Sequence, residues 1–230
     1  VTAAGTFDLT KKITLHNNIN FQSISQQGNF LQGYGSGITA SFNQWFQRQL
    51  DIKRLRNYKN PDGTFNSWNI LGPDDYDPED PTGFLRPLYW DNPYYDVTEN
   101  VPSLSSSRVF GDIGFSYDLF PNFKLNGTVR ADIYDENSAA RVTEGGLNLA
   151  SYSEASRKNE EWNYEALLSY RKKTGDWDID ANIGGNMLRI KRVIYDGSTV
   201  GGLSIPGFYS LVSSLDRPNV KTSTIRLHRN

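Results

Sequence analysis

Cysteine is absent from the 230-residue chain, and histidine occurs only as His16 and His228. Without cysteine, neither a disulfide framework nor a thiolate metal site can form. The two histidines lie in unrelated segments and therefore do not indicate a histidine metal cluster or a Ser-His-Asp triad. No other group of residues indicates catalysis, so the sequence predicts a protein that is not an enzyme.

The chain also lacks long hydrophobic runs and an excess of charge of one sign. No apolar run approaches the roughly 18 residues of a transmembrane helix. This excludes a helical span but not a transmembrane barrel, whose apolar face is hidden in alternation. Lys and Arg number 24 against 26 Asp and Glu, a formal net charge of −2. No global field therefore favours nucleic acid as a partner.

What the chain does contain is alternation of apolar and polar residues, the period of two that indicates β-strands. A short turn at 120–122 joins two such segments into a predicted hairpin, and the turn signal at 173–176 joins two more. The alternating segments are 12–22, 108–119, 123–135, 161–172 and 177–188. The sequence therefore predicts an all-β protein.

The predicted strands are long, roughly 10 to 14 residues, whereas strands of soluble proteins usually have about 5 or 6. Their connections differ at the two ends. The turns near Pro121 and Gly175 are short, but long polar segments at 42–104, 135–159 and 191–219 join the opposite ends. Long strands with this asymmetry are typical of outer-membrane barrels. A soluble β-sandwich also has one apolar and one polar face, so it remains the alternative.

Aromatic residues lie at both ends of the apolar stripes, as at the two interfaces of a membrane. Trp162 and Tyr164 begin one stripe and Tyr170 ends it, while Phe123 and Trp177 lie beside the short turns. This placement favours the barrel over the sandwich.

The segment 42–58 departs from the alternation and has a helical period, which predicts a short amphipathic helix. Trp45 and Phe46 are expected to pack on its apolar side, and Arg48 is expected to pair with Asp51 along its surface. Basic residues near aromatics also suit nucleic acid, but the net charge and the lack of an RNA-binding motif argue against that interpretation. Packing within a long structured loop, 42–104, is the preferred interpretation, with ligand or partner contact as the alternative.

Two further features of this loop suit binding. Asp74, Asp75 and Asp77 could offer hard oxygen ligands to calcium, but their spacing does not fit an EF-hand and a solvated acidic loop is favoured; no cofactor is expected. Aromatic residues of the same loop could stack on sugars or clamp peptides, or could instead pack the loop. The candidate contact residues are Trp68, Tyr89, Trp90, Tyr94 and Tyr95.

Several motifs of this loop together resemble the SusC/RagA family of TonB-dependent outer-membrane transporters. The resemblance runs from about Ile38 to the end of the chain, and includes the later strands and IPGFYSLVSS at 205–214. The motifs are WFQRQLD at 45–51, KRLRNY at 53–58, PDG at 61–63, SWN at 67–69 and YWDNPYYDVTEN at 89–100.

The resemblance implies a barrel of about 22 strands closed by a plug, which imports glycan or peptide oligomers across the outer membrane of a Gram-negative bacterium. It implies a SusD-like surface lipoprotein and the TonB–ExbB–ExbD system as partners, together with the lipid bilayer. No TonB box or plug is recognisable, so residues 1–230 are expected to form a slice of the barrel domain. The polar parity is then expected to line the lumen, at Asp112, Arg130, Glu165, Asp178 and Asp180.

Two other functions remain open from the sequence. One is a soluble carbohydrate-binding β-sandwich, and the other is an outer-membrane barrel with a structural or secretion role. The first residues, VTAAGTFDL, lack an initiator methionine and the last, TSTIRLHRN, read as the middle of a strand. Both ends suggest a piece of a longer polypeptide.

Overall fold

The computed structural model of the protein describes residues 1–28, 50–61, 65–81, 83–85 and 87–230. Among these residues, seven antiparallel strands form one sheet in which each strand pairs with the next along the chain. The strands are β1 (Thr2–Thr10), β2 (Ile13–Gln27), β3 (Ser103–Phe120), β4 (Phe123–Val142), β5 (Ser151–Thr174), β6 (Trp177–Leu203) and β7 (Ser214–Arg229). The all-β antiparallel fold predicted from the alternation is confirmed.

Tight turns join the strands at one end of the sheet. Two residues separate β1 from β2, β3 from β4 and β5 from β6. Asn122 has a φ of 73° and Gly175 a φ of 57°, the left-handed conformation that asparagine and glycine adopt most readily. The residues at the turns thus explain the two hairpins predicted from the sequence.

The strands are longer than predicted, and two of the connections at the other end of the sheet are correspondingly shorter. Strands β3 to β6 have 18, 20, 24 and 27 residues. The connections after β4 and β6 cover 143–150 and 204–213, not 135–159 and 191–219. The prediction ended each strand where its apolar residues ended. Backbone ladder bonds do not depend on side-chain polarity, so pairing continues through the polar part.

The register aligns the apolar residues of neighbouring strands on one side of the sheet. One row runs across β3 to β6 through Ile113, Val129, Tyr164 and Met187. Side chains alternate between the two sides of a strand, so the residues between these positions form a second, polar side. We call these two sides the apolar face and the polar face.

Very little of the described chain is buried, and no second layer of strands or helices covers the described sheet. The hydrophobic side chains that are buried, Leu55 and Tyr95, belong to the connection between β2 and β3. Many apolar-face side chains are exposed, among them Ile183 at 72%. A sandwich buries one face of each sheet against another sheet, whereas the described residues form a single sheet.

The connection between β2 and β3 contains two short α-helices in its described part, α1 (Ile52–Leu55) and α2 (Pro93–Thr98), and 3-10 turns at Pro73–Asp75 and Gly83–Leu85. No helix of the described residues is long and apolar enough to cross a membrane. The predicted contacts of Trp45, Phe46 and Arg48 lie outside the described residues. Asp51 precedes α1 and caps it, since its carboxylate accepts a hydrogen bond of 2.9 Å from the Lys53 backbone N–H.

Candidate functional site

Paired charges cover the polar face of the sheet. The Arg130 guanidinium lies 2.7 Å from the Glu165 carboxylate, and that of Arg171 lies 2.6 Å from Asp180. His16 lies 3.9 Å from Asp112. The side chains of these pairs are substantially exposed, so each pair contributes little to stability. The two arginine–carboxylate pairs place fixed charges of both signs on a hydrated surface.

All five residues predicted to face a lumen lie on this polar face. Their partners in the strand register show this. Asp112 lies opposite Arg130. Asp178 lies opposite Lys173, and Asp180 lies opposite Arg171. That this face lines a lumen stays a prediction.

A concavity of about 580 Å³ on the polar face was not predicted from the sequence. Arginines on three strands border it: Arg108 on β3, Arg157 on β5 and Arg192 on β6. The predicted strands and loops placed Arg157 and Arg192 in polar connections. Arg157 and Arg192 keep the parity of the polar face. Apolar residues fall on both parities around Arg192, at Ile190, Val193 and Ile194, so parity counted along the strand from its turn was the signal that could have found these arginines.

The second candidate region is the end of the sheet with the longer connections, where helix α2 is held by Asn92. The Asn92 side chain is 2% exposed and caps α2 by accepting a hydrogen bond of 2.9 Å from the Tyr94 N–H. Its amide nitrogen donates to the backbone carbonyls of Leu55 and Asn66 at 2.9 and 2.7 Å. One buried side chain thus joins the start of α2 to α1 and to the segment around residue 66. Asparagine followed by proline is a helix-start signal, so the cap was readable from the sequence.

Tyr95 forms the centre of this region. Its side chain is 1% exposed, and its ring packs edge-on against Phe65 with the ring centres 4.9 Å apart. Its hydroxyl donates to the Thr143 carbonyl and accepts from the Thr143 hydroxyl, both at 2.7 Å. Tyr95 therefore holds the β2–β3 connection against the β4–β5 connection.

The third connection, between β6 and β7, is attached through Glu144. Its carboxylate accepts hydrogen bonds from the Gly207 N–H at 2.8 Å and the Tyr209 hydroxyl at 2.9 Å. Burial opposes the charge of Glu144, but these hydrogen bonds outweigh it and lower its pKa. Burial, with the Glu144 hydrogen bond, raises the pKa of Tyr209 to about 12. The three connections form one hydrogen-bonded unit, which we call the loop assembly.

Two carboxylates of the loop assembly are held in unfavourable surroundings. Burial, reinforced by the negative charge of Asp91, raises the pKa of Asp96 to about 6, although a hydrogen bond from Asn100 opposes the shift. Burial also raises the pKa of Asp91, against the effect of the Leu147 N–H that donates to it at 2.8 Å. Both groups are more easily protonated than ordinary aspartates.

This arrangement predicts that the loop assembly becomes less stable as the pH rises. The folded pKa of Asp96 lies above the unfolded value, so the folded loop binds more protons between about pH 4 and pH 6. Stability is lost across that window and stays lower above it, by on the order of 2 kcal/mol. Asp96→Asn should raise protection from hydrogen exchange in α2 at neutral pH and flatten the pH dependence, whereas Asp74→Asn, in an exposed turn, should change neither. Unchanged pH dependence in Asp96→Asn would contradict the assignment.

The residues predicted to contact substrate or a partner are not equivalent in the structure. Tyr89 is 73% exposed, whereas Trp68, Trp90 and Tyr94 are half-buried. Tyr95 is buried and packs the loop assembly, so the prediction of surface contact is replaced by a structural role. The error arises because aromatic residues in a loop read alike from the sequence until their packing is known.

The acidic segment uses part of its carboxylates for its own turns. Asp75 accepts a hydrogen bond from the Gly72 N–H at 3.1 Å, and Asp77 accepts one from the Glu79 N–H at 2.9 Å. Asp74 lies beside Asp75 in the 3-10 turn and is exposed. That these residues form a solvated acidic loop and not a calcium site stays a prediction.

Long strands in sequential order, tight turns at one end and structured connections at the other define a class of sheet found in outer-membrane barrels. Comparison with solved structures confirms the resemblance at the level of the fold. The sheet is similar to 24% of a chain of the RagAB peptide transporter, with a TM-score of 0.63 and 13% identity over 95% of the present chain. A chain of the RagAB peptide importer in its "closed-closed" state gives a TM-score of 0.62 and 13% identity, with 98% of this chain and 24% of that chain covered.

The chain thus spans about a quarter of the length of these transporter chains. No protein-family model matches it, and no curated protein matches its sequence. The similarity therefore rests on the course of the backbone, with few identical residues.

Proposed function

We propose that the chain is part of an outer-membrane β-barrel that imports oligomeric nutrients, with peptides as the favoured class of substrate. The observation that carries the proposal is the seven-stranded sheet with one apolar and one charged face, which has the fold of a section of a peptide transporter chain. The protein binds and moves its substrate and performs no chemistry on it.

The dimensions of the apolar face support its contact with lipid. On β5, charged residues of that face occur at Glu160 and Lys172, twelve residues apart, with apolar and aromatic residues between them. Twelve residues cover about 40 Å of strand, or about 28 Å along the membrane normal at a tilt of about 45°. An apolar band of about 25 Å is typical of outer-membrane barrels.

The polar face then borders the lumen, with Asp112, Arg130, Glu165, Asp178 and Asp180 among its lining residues. The carboxylates and guanidiniums of this face are paired and exposed, so the surface is strongly hydrated without a large net field. A polar oligomer can exchange hydrogen bonds with such a surface and with water as it passes, and no single group holds it tightly.

The two ends of the sheet suggest which side faces outward. Outer-membrane barrels have short turns on the periplasmic side and long connections outside, so the loop assembly is extracellular. Its exposed surface, with Tyr89 and the half-buried Trp68, Trp90 and Tyr94, is where substrate and a SusD-like lipoprotein would be met. Uptake against a gradient would draw on the TonB–ExbB–ExbD system.

A deletion experiment in the native host tests the function. A strain without the gene should lose growth on an oligopeptide mixture as sole nitrogen source but grow normally on free amino acids. Restoring the full-length gene should restore peptide uptake and place the protein in the outer-membrane fraction, with a surface lipoprotein co-purifying in detergent.

If the protein is instead an outer-membrane barrel with a structural or secretion role, the same strain should give a different result. Peptide uptake would be unchanged, while envelope integrity or the export of proteins would fail. If the strain lost growth on oligosaccharides but grew normally on peptides, the protein would still be an importer, with glycans as its class of substrate.

A further inference from the structure

The arginine-bordered concavity on the polar face differs from the rest of that face in its balance of charges. Arg108 is fully engaged, because its Nε donates to Asp132 Oδ1 at 2.8 Å and a terminal nitrogen donates to Oδ2 at 2.5 Å. Arg157 makes one long contact of 3.4 Å to Glu136, whose other oxygen accepts from the Tyr134 hydroxyl. The carboxylates of Asp132, which borders the concavity, and of Glu136 beside it are thus already occupied.

Arg192 has no carboxylate partner among the residues that the structure describes. Its Nε donates to the amide oxygen of Asn159 at 3.4 Å, a distance at the weak limit of hydrogen bonding. Within the part of the chain that the structure describes, no carboxylate lies within 4.0 Å of its guanidinium. Four other arginines of the same face each have one, so Arg192 presents unused donors and an uncompensated charge.

The height of Arg192 on the sheet places it where a substrate would arrive. Arg192 pairs in register with Asn159. The adjacent pair, Glu160 with Lys191, lies on the apolar face and is charged. In the proposed barrel this is the level of the outer interface, between the loop assembly and the membrane-embedded part of the lumen. A substrate released from the loops would meet this concavity first.

We propose that Arg192, supported by Arg157, binds a carboxylate of the transported oligomer, and that this subsite favours acidic over neutral substrates. The planar fork of guanidinium donors matches the two oxygens of a carboxylate, and such charge-assisted pairs are stronger than neutral hydrogen bonds. A volume of about 580 Å³ accommodates a side chain or chain end rather than a whole oligomer. The inference rests on the proposed import of peptides and specifies which of them bind best.

Binding of three matched peptides to the full-length protein in detergent tests the subsite. The first is an alanine-rich octapeptide with two glutamates and an amidated C-terminus. The second has glutamine in place of glutamate, and the third is the glutamine peptide with a free C-terminal carboxylate. The variants are Arg192→Gln and, as control, Lys191→Gln, which removes one charge from the adjacent residue on the other side of the sheet.

We expect Arg192→Gln to weaken the binding of at least one carboxylate-bearing peptide about tenfold or more, because one hydrogen bond to a charged group is lost. The amidated glutamine peptide should bind the two proteins equally, which also shows that the variant is folded. Lys191→Gln should change no affinity by more than about twofold. The peptide that responds tells whether the group recognised is an acidic side chain or the chain end.

Two results would overturn the subsite while leaving peptide import intact. Equal affinity of wild type and Arg192→Gln for all three peptides would show that Arg192 does not contact the ligand. If Lys191→Gln weakened the binding of the carboxylate-bearing peptides as much as Arg192→Gln does, the cause would be a long-range effect of charge and not a contact made by Arg192. Failure of the wild type to bind any of the peptides would overturn the proposed peptide specificity, and the subsite with it.

Discussion

Replacing Tyr95 with alanine is expected to open the loop assembly while the strands stay paired. Tyr95 is the largest fully buried side chain of the described residues, and it joins the connection before β3 to Thr143 after β4. Truncating a buried aromatic ring costs about 3 to 5 kcal/mol through lost contacts and the cavity left behind. Hydrogen exchange and limited proteolysis of the full-length protein should show the loss locally, at residues 50–102 and 143–150.

Matched variants separate packing from the polar contact. Tyr95→Phe keeps the ring but removes the hydroxyl shared with the Thr143 carbonyl and hydroxyl, and we expect a cost of about 1 to 2 kcal/mol. Tyr89→Ala removes the same kind of side chain from an exposed position and should leave protection unchanged. Protection in Tyr95→Ala equal to that of the wild type would mean that other contacts hold the assembly.

An arginine at Leu168 should destabilise the protein in a membrane far more than an arginine at Leu167. Leu168 lies on the apolar face, in register with Leu125 and Ile183. If that face meets lipid, as proposed, the buried guanidinium costs about 2 kcal/mol or more. Denaturant unfolding of the full-length protein in phospholipid vesicles should show the difference as a lower midpoint for Leu168→Arg.

The matched control is Leu167→Arg, which makes the same substitution at the preceding residue. Leu167 lies on the polar face, in register with Asn126 and Gly184, where an arginine can remain hydrated. We expect its midpoint to stay near that of the wild type. Equal destabilisation by both variants, or a larger effect at Leu167, would show that the apolar face is not the one in contact with lipid.

The loop assembly is held by polar contacts, some of them buried, more than by an apolar core. Asn92, Asn100 and Glu144 each join segments distant in the chain through backbone or side-chain groups. Such hydrogen bonds add modest stability when made but are costly to leave unmade when buried. The assembly is therefore expected to respond more strongly to loss of a polar partner than to loss of an exposed aromatic such as Tyr89.

The strands and their turns could be predicted because their information is local. The period of two assigns each residue of 108–119 and 123–135 to a face, and Pro121 with Asn122 encodes the turn between them. Around Arg157 the residues of both parities are mostly polar, and around Arg192 apolar residues fall on both parities, so the pattern carries little contrast there. The sequence therefore places the ends of β4 and β6 too early and the start of β5 too late.

The sequence by itself determined the all-β fold, the two hairpins and which side chains share a face, because side-chain alternation and turn conformation depend on neighbours along the chain. Only the tertiary structure decided that Tyr95 is buried while Tyr89 is exposed, that Asn92 and Thr143 hold the connections together, and that no carboxylate of the described residues pairs with Arg192. Each of these depends on groups brought close from distant positions, such as Asn92 and Leu55, 37 residues apart. Register and loop packing set such distances, and no period in the sequence encodes them.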